Sequence, residues 1–196
     1  LPDEAVAYWT RAASDALERS ANLEAISHCA EGLKQLGALD TSEARRKLEL
    51  SLRASQVQAL TTAKGFATPE LGPALRRLDT LANVADDTER ITAALRGLVR
   101  LANFSGDSAL LLDASTRFLR HAEALDDPQV TLEAHFHSGL NAFSRGALDE
   151  AAHHHSECLR IDAAIHDLEG ATLARSISGG RAVISRSLLA LNLWIR

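Results

Sequence analysis

Aromatic side chains are scarce in this chain. It has five Phe, two Trp and one Tyr among 196 residues, although 46% of the sequence is hydrophobic. Alanine and leucine carry the apolar content instead, which suits helices better than sheets and excludes disorder. Only four prolines occur, leaving room for long uninterrupted helices. Two cysteines, Cys29 and Cys158, make no disulfide framework and point to a reducing cytoplasm. There is no basic block and the net charge is −5, so a broad cationic face for nucleic acid is not expected. No apolar run reaches the roughly 18–20 residues that span a bilayer, and no signal-peptide pattern opens the chain. The sequence starts at Leu1 and stops within the apolar helical pattern "LLALNLWIR", as expected for part of a longer protein.

What is present is helical periodicity almost throughout. Leu111, Ala114, Phe118, Ala122 and Leu125 form one stripe at three- and four-residue steps. Ile91, Leu95, Leu98 and Ala102 form another, and Leu148, Ala151, Ala152, Cys158 and Leu159 belong to a third. No sustained alternation suggests a strand. Short turns fall at Ser20, Gly65, Gly106 and Gly146, spaced by 45, 41 and 40 residues. Looser breaks lie between them at "LGALDTSEA", "ANVADDTER" and "ALDDPQV", each with Asp or Thr placed to cap the next helix. The sequence predicts an all-α chain: helix, tight turn, helix, looser turn, repeated about four times. Its units cover approximately 3–40, 41–86, 87–126 and 127–168, with a partial unit over 169–196. A two-helix period of this length points to an α-solenoid in one domain, 1–196; a compact helical bundle is the alternative.

The fourth unit, "SGLNAFSRGALDEAAHHHSECLRID", resembles a tetratricopeptide repeat. Gly139 falls at that motif's helix-packing glycine, Gly146 at its turn and Ala151 at the small position of the second helix. The first unit is similar, with Trp9 as the leading aromatic, Ala12 and Ala13 following, and Ala25 at the small position. Leu111 stands where the third unit should carry a small residue, the second unit is longer than the motif, and the proline that commonly closes a repeat is absent. "RSANLEAISHCAEGL", "KGFATPEL" and "SGGRAVISRSLLALNLW" narrow the resemblance. They are similar to the tetratricopeptide regions that follow an ATPase module in large bacterial signalling proteins. Those proteins carry an adenylate-cyclase-type or DNA-binding transcription-regulator domain at the other end. The resemblance implies a right-handed solenoid of antiparallel helix hairpins, acting in signal transduction or transcriptional regulation.

Catalytic signatures are missing. There is no phosphate-binding G-x-x-x-x-G-K-[ST] and no G-x-G-x-x-G after a strand, so any ATPase or cyclase chemistry of a parent protein lies outside this segment. Gly179 and Gly180, before a helix, offer backbone N–H groups to an anion or act as a hinge. The run His153–His155 raises the question of metal. Adjacent helical residues point about 100° apart, so three in a row do not share one ion simply. His154 with Cys158, approached by His135 and His137 across a hairpin, is the better set, yet no C-x-x-C or H-x-x-x-H accompanies it. The plainer reading packs His155 in the core and turns His153 and His154 to solvent. Neither cysteine has a nucleophile's setting, and no Asp/Glu pair stands out as a general acid and base. No enzyme, cofactor or metal is expected of this segment.

A partner is expected instead. In a tetratricopeptide-like solenoid the first helix of each pair lines the concave surface, and mapping the motif places Arg96, Arg100 and Asn103 there. In the fourth unit the same mapping selects Phe136, Leu140 and Phe143, which core packing also explains. The expected function is a scaffold that binds a protein, peptide or small effector, acidic in character, and couples it to neighbouring domains of the same chain. The alternatives are a structural spacer or homodimerisation surface, and an autonomous metal-dependent enzyme. Neither nucleic acid nor membrane is expected as a partner.

Overall fold

The computed structural model describes residues 2–37, 42–169 and 179–195; Asp40 and Thr41, two of the expected capping residues, lie outside them. Among the described residues there are nine helices and no strand, so the chain is all-α. They are α1 (Pro2–Glu18), α2 (Asn22–Leu36), α3 (Glu43–Lys64), α4 (Leu71–Ala85), α5 (Thr88–Ser105), α6 (Ser108–Leu125), α7 (Pro128–Ser144), α8 (Leu148–Glu169) and α9 (Gly179–Ile195). No helix among the described residues is long and apolar enough to cross a membrane.

The helix ends follow the punctuation. Ser20, Gly65, Gly106 and Gly146 all take positive φ, between 59° and 73°. Asp86 and Asp126, at two of the looser breaks, do the same at 52° and 54°. A left-handed residue there lets the following amides reach back to the last carbonyls. Ala21 N–H donates to the Ala16 carbonyl at 2.8 Å, Asp87 N–H to Ala82 at 3.0 Å and Ala147 N–H to Ala142 at 2.9 Å. The starts of α3, α5, α6 and α7 are capped by short polar side chains, whereas α2 and α4 have no side-chain cap. Ser42 accepts from Arg45 N–H, Asp87 from Arg90 N–H, Asp107 from Leu110 N–H, and Asp127 from Gln129 and Val130 N–H.

The "KGFATPEL" corner separates α3 from α4. Gly65 ends α3 at φ 73°, ψ −169°, a conformation open to glycine and strained for any side chain. Thr68 donates its hydroxyl to Glu70, while the Thr68 carbonyl accepts from Leu71 N–H at 3.2 Å. Helix α4 therefore begins at Leu71. Pro73 is its third residue, in the first turn where no intrahelical N–H partner is lost.

The chain divides into two compact units, Leu1–Ser105 and Gly106–Arg196. The expected third hairpin, 87–126, spans that division, with α5 in the first unit and α6 in the second. In the first unit α1 packs on α2 and α3, α2 on α3, α3 on α4 and α4 on α5. Val6, Leu36 and Leu52 form one apolar cluster, and Ala16, Ala25 and Ala59 another, whose small side chains let the helices approach. Glu49 of α3 is buried and receives two hydrogen bonds from Arg77 of α4, Nε to Oε1 at 2.7 Å and Nη2 to Oε2 at 2.6 Å.

In the second unit α6 packs on α7, α7 on α8, and α9 on both α8 and α7. Leu132, Phe136, Cys158, Ile161 and Ile165 make its apolar cluster. Polar clips join neighbouring helices there. Asn141 donates to the Ser115 hydroxyl at 3.0 Å, Arg181 to Glu133 at 2.9 Å and Asn192 to the Leu148 carbonyl at 2.7 Å.

Candidate functional site

A cavity of about 460 Å³ opens in the first unit between α3, α4 and α5. Local sequence explains its walls. Helix α5 buries Ile91, Ala94, Leu95, Leu98, Val99 and Ala102 against its neighbours. That stripe turns Glu89, Ala93, Arg96 and Arg100, spaced by three and four residues, onto the flank that lines the cavity. Helix α3 behaves likewise. It buries Leu52, Ala59 and Leu60 and presents Ala54, Val57, Gln58 and Thr61 to the cavity. Leu78 of α4 contributes an apolar patch beneath.

One end is marked by aromatics. Phe66, just after α3, stacks on Phe104 in the last turn of α5, with centroids 5.4 Å apart and planes 2° from parallel. Charge is concentrated on the α5 side. Arg90, Arg96 and Arg100 line the cavity against a single acid, Glu89, in a chain whose net charge is −5. Arg90 is held by Asp87, the residue that also caps α5. The facing α3 wall offers neutral hydrogen-bonding groups from Gln58, Thr61 and Thr62.

The residues expected from the sequence separate into three groups. Arg96 and Arg100 are brought together in this cavity. Asn103 does not line it and donates Nδ2 to the Val99 carbonyl of its own helix at 3.0 Å. Phe136 is only 8% exposed and sits in the second unit's apolar cluster with Leu140 packed against it, while Phe143 is half-buried nearby in sequence. The α3 wall and Phe66 were not anticipated as site residues. The available signal was the stripe Ala54, Val57, Gln58 and Thr61, a small and uncharged helical face beside a buried one.

The histidine run is organised by α7 and α8. His155 is fully buried, as the packing reading expected, and its Nδ1 lies 3.3 Å from the Ser185 hydroxyl of α9. His153 is exposed, again as that reading expected. His154 is not turned to solvent. It is buried, with Nδ1 3.0 Å from Nδ1 of His135, one ring donating and the other accepting. The reason is its partner: His135 projects from α7, which packs on α8, and covers the His154 ring.

Burial pushes the pKa values of His135, His154 and His155 below the ordinary 6.5, because a charged ring is poorly solvated there. Among the described residues no group of three or more His, Cys, Asp or Glu side chains is disposed to hold a metal ion. Both thiols are buried, and burial raises Cys29 to about 12 and lifts Cys158 above its usual value, so both are protonated at neutral pH. Gly179 and Gly180 open α9, and a Cβ at Gly180 would meet open space.

Neither the protein-family models nor the curated proteins compared with this chain match it.

Proposed function

We propose that this chain is a non-catalytic, tetratricopeptide-like interaction module that binds an acidic partner through the cavity between α3 and α5. The observation that carries the reading is the meeting of Arg96 and Arg100 on one wall. They stand one helical turn apart on the flank of α5, opposite neutral hydrogen-bonding groups and above an apolar patch. Two guanidinium groups at that spacing engage one carboxylate or a pair of neighbouring ones by charge-assisted hydrogen bonds. The recurrence of left-handed turns at Ser20, Gly65, Gly106 and Gly146 supports the repeated two-helix unit, and with it a solenoid. By resemblance, the module transmits partner binding to an ATPase module and a cyclase or DNA-binding output domain in the same polypeptide, in the cytoplasm.

The test is titration of a fluorescent hexaglutamate peptide into the chain and into the Arg96→Ala/Arg100→Ala variant, with helicity followed by circular dichroism. Saturable binding that weakens at least tenfold in the variant, with helicity unchanged, supports the reading. Equal binding to both proteins overturns it.

A further inference from the structure

Helix α9 packs inside out. The side it turns to α7 and α8 is polar, with Ser185 and Asn192 fully buried there. The Ser185 hydroxyl meets His155 at 3.3 Å, Asn192 donates to the Leu148 carbonyl and Arg181 donates to Glu133. These three clips fix the rotation of the helix. The opposite side carries Val183, Ile184, Ser187, Leu191, Trp194 and Ile195, all exposed. At about 100° and 1.5 Å per residue they fall within an arc of about 120° and along about 18 Å of helix. Among the described residues, six of the eleven exposed large apolar side chains belong to α9, with Trp194 the most open at 82%. A contiguous apolar face of this kind marks an interaction surface. It belongs to the second unit and shares no residue with the α3–α5 cavity.

We infer that this face pairs with the same face of a second copy of the chain, the two α9 helices lying antiparallel about a two-fold axis level with residue 189. The spacing selects this occupant. The six positions are symmetric about 189, reading 183, 184 and 187 on one side and 191, 194 and 195 on the other. An antiparallel two-fold therefore sets Val183 against Ile195 of the second copy, Ile184 against Trp194, and Ser187 against Leu191. The indole meets a β-branched side chain and Leu191 meets a small one, so bulk is matched across the pair. No charge interrupts the stripe, because Arg181 is tied to Glu133 and Arg186 lies outside the arc. A lipid surface fits less well, since interfacial helices carry a strongly cationic border that α9 lacks. So short an interface belongs to the small, transient class, and the dimer forms at micromolar or higher concentration.

Sedimentation velocity of the chain from about 1 to 500 µM, a range that brackets weak self-association, is the test. The expected result is a reversible monomer–dimer equilibrium. Ile184→Glu and Trp194→Lys, each examined alone with helicity followed by circular dichroism, should weaken it at least tenfold. Both side chains are exposed, so the fold of the single chain does not depend on them. Mixing the two variants should restore dimers. The antiparallel register then sets the introduced carboxylate against the introduced ammonium, while the other end keeps Ile184 against Trp194. A chain that is monomeric at every concentration overturns the inference and leaves the face to a different partner. Self-association that either variant leaves unchanged overturns it too, as does a mixture no more associated than the single variants.

Discussion

His155 lies so close to Gly139 that a Cβ added there would sit 2.7 Å from Cε1 of the imidazole and 2.9 Å from both ring nitrogens. The contact joins α7 to α8 at the glycine that the repeat resemblance singles out. His155 cannot yield easily, because it is fully buried and its Nδ1 faces Ser185. Gly139→Ala should therefore destabilise by about 1–3 kcal/mol, the usual cost of overpacking. Urea unfolding of Gly139→Ala, His155→Ala and the double variant checks this. The double variant should be less unstable than the sum of the singles, since shortening residue 155 makes room for the added methyl.

The His135–His154 pair predicts acid sensitivity. Its surroundings include Glu157 and Arg160 near His135, Glu150 and Glu123 near His154, and His153 beside both. Burial is the leading cause of the low pKa of each ring. The unfolded chain binds protons near 6.5, and the folded chain resists them until lower pH. The pair's contribution to stability is thus complete above 6.5 and declines as pH falls below it. Urea midpoints should drop between pH 7.5 and 5.5, and His154→Phe should flatten that drop. An identical pH slope in the variant would contradict the assignment.

The carboxylate of Glu49 offers a separate test in the first unit. Two hydrogen bonds from Arg77 are the main reason its pKa lies below the usual glutamate value. Arg77→Ala leaves a buried carboxylate short of its partner and should cost about 1–3 kcal/mol, nearer the lower figure because the Arg77 side chain is 43% exposed. Chemical denaturation at pH 7 measures it. The cost should shrink as the acid is protonated below pH 4.5, since the stability tied to a depressed carboxylate is lost as pH falls.

Turn chemistry was readable because it is local. A left-handed residue needs glycine, or a short polar side chain that tolerates the conformation, and Ser20, Gly65, Gly106 and Gly146 each advertised one. The stripe Ile91, Leu95, Leu98 and Ala102 likewise matched the buried face of α5. What failed depended on neighbours. His154 was expected at solvent because nothing local in the run shows that His135 of α7 lies across from it. The α3 wall was missed because only packing shows that Val57 and Thr61 face Ala93 and Arg96 across a gap.

The corner after α3 should be sensitive to one methyl group. Gly65 has open space around a hypothetical Cβ, so any penalty there comes from the backbone at φ 73°, ψ −169° and not from crowding. Gly65→Ala should cost about 1–3 kcal/mol in thermal or urea unfolding. A neutral effect would mean that the corner readily adopts another turn.

The location of binding is the central claim, and amide chemical shifts of the ¹⁵N-labelled chain measure it most directly. The chain is titrated with hexaglutamate. The account predicts that the peptide shifts Val57, Thr61, Ala93, Arg96 and Arg100 together and saturably, while His135 and His155 in the second unit stay unmoved. Shifts centred outside the α3–α5 cavity, or none at all, would contradict it.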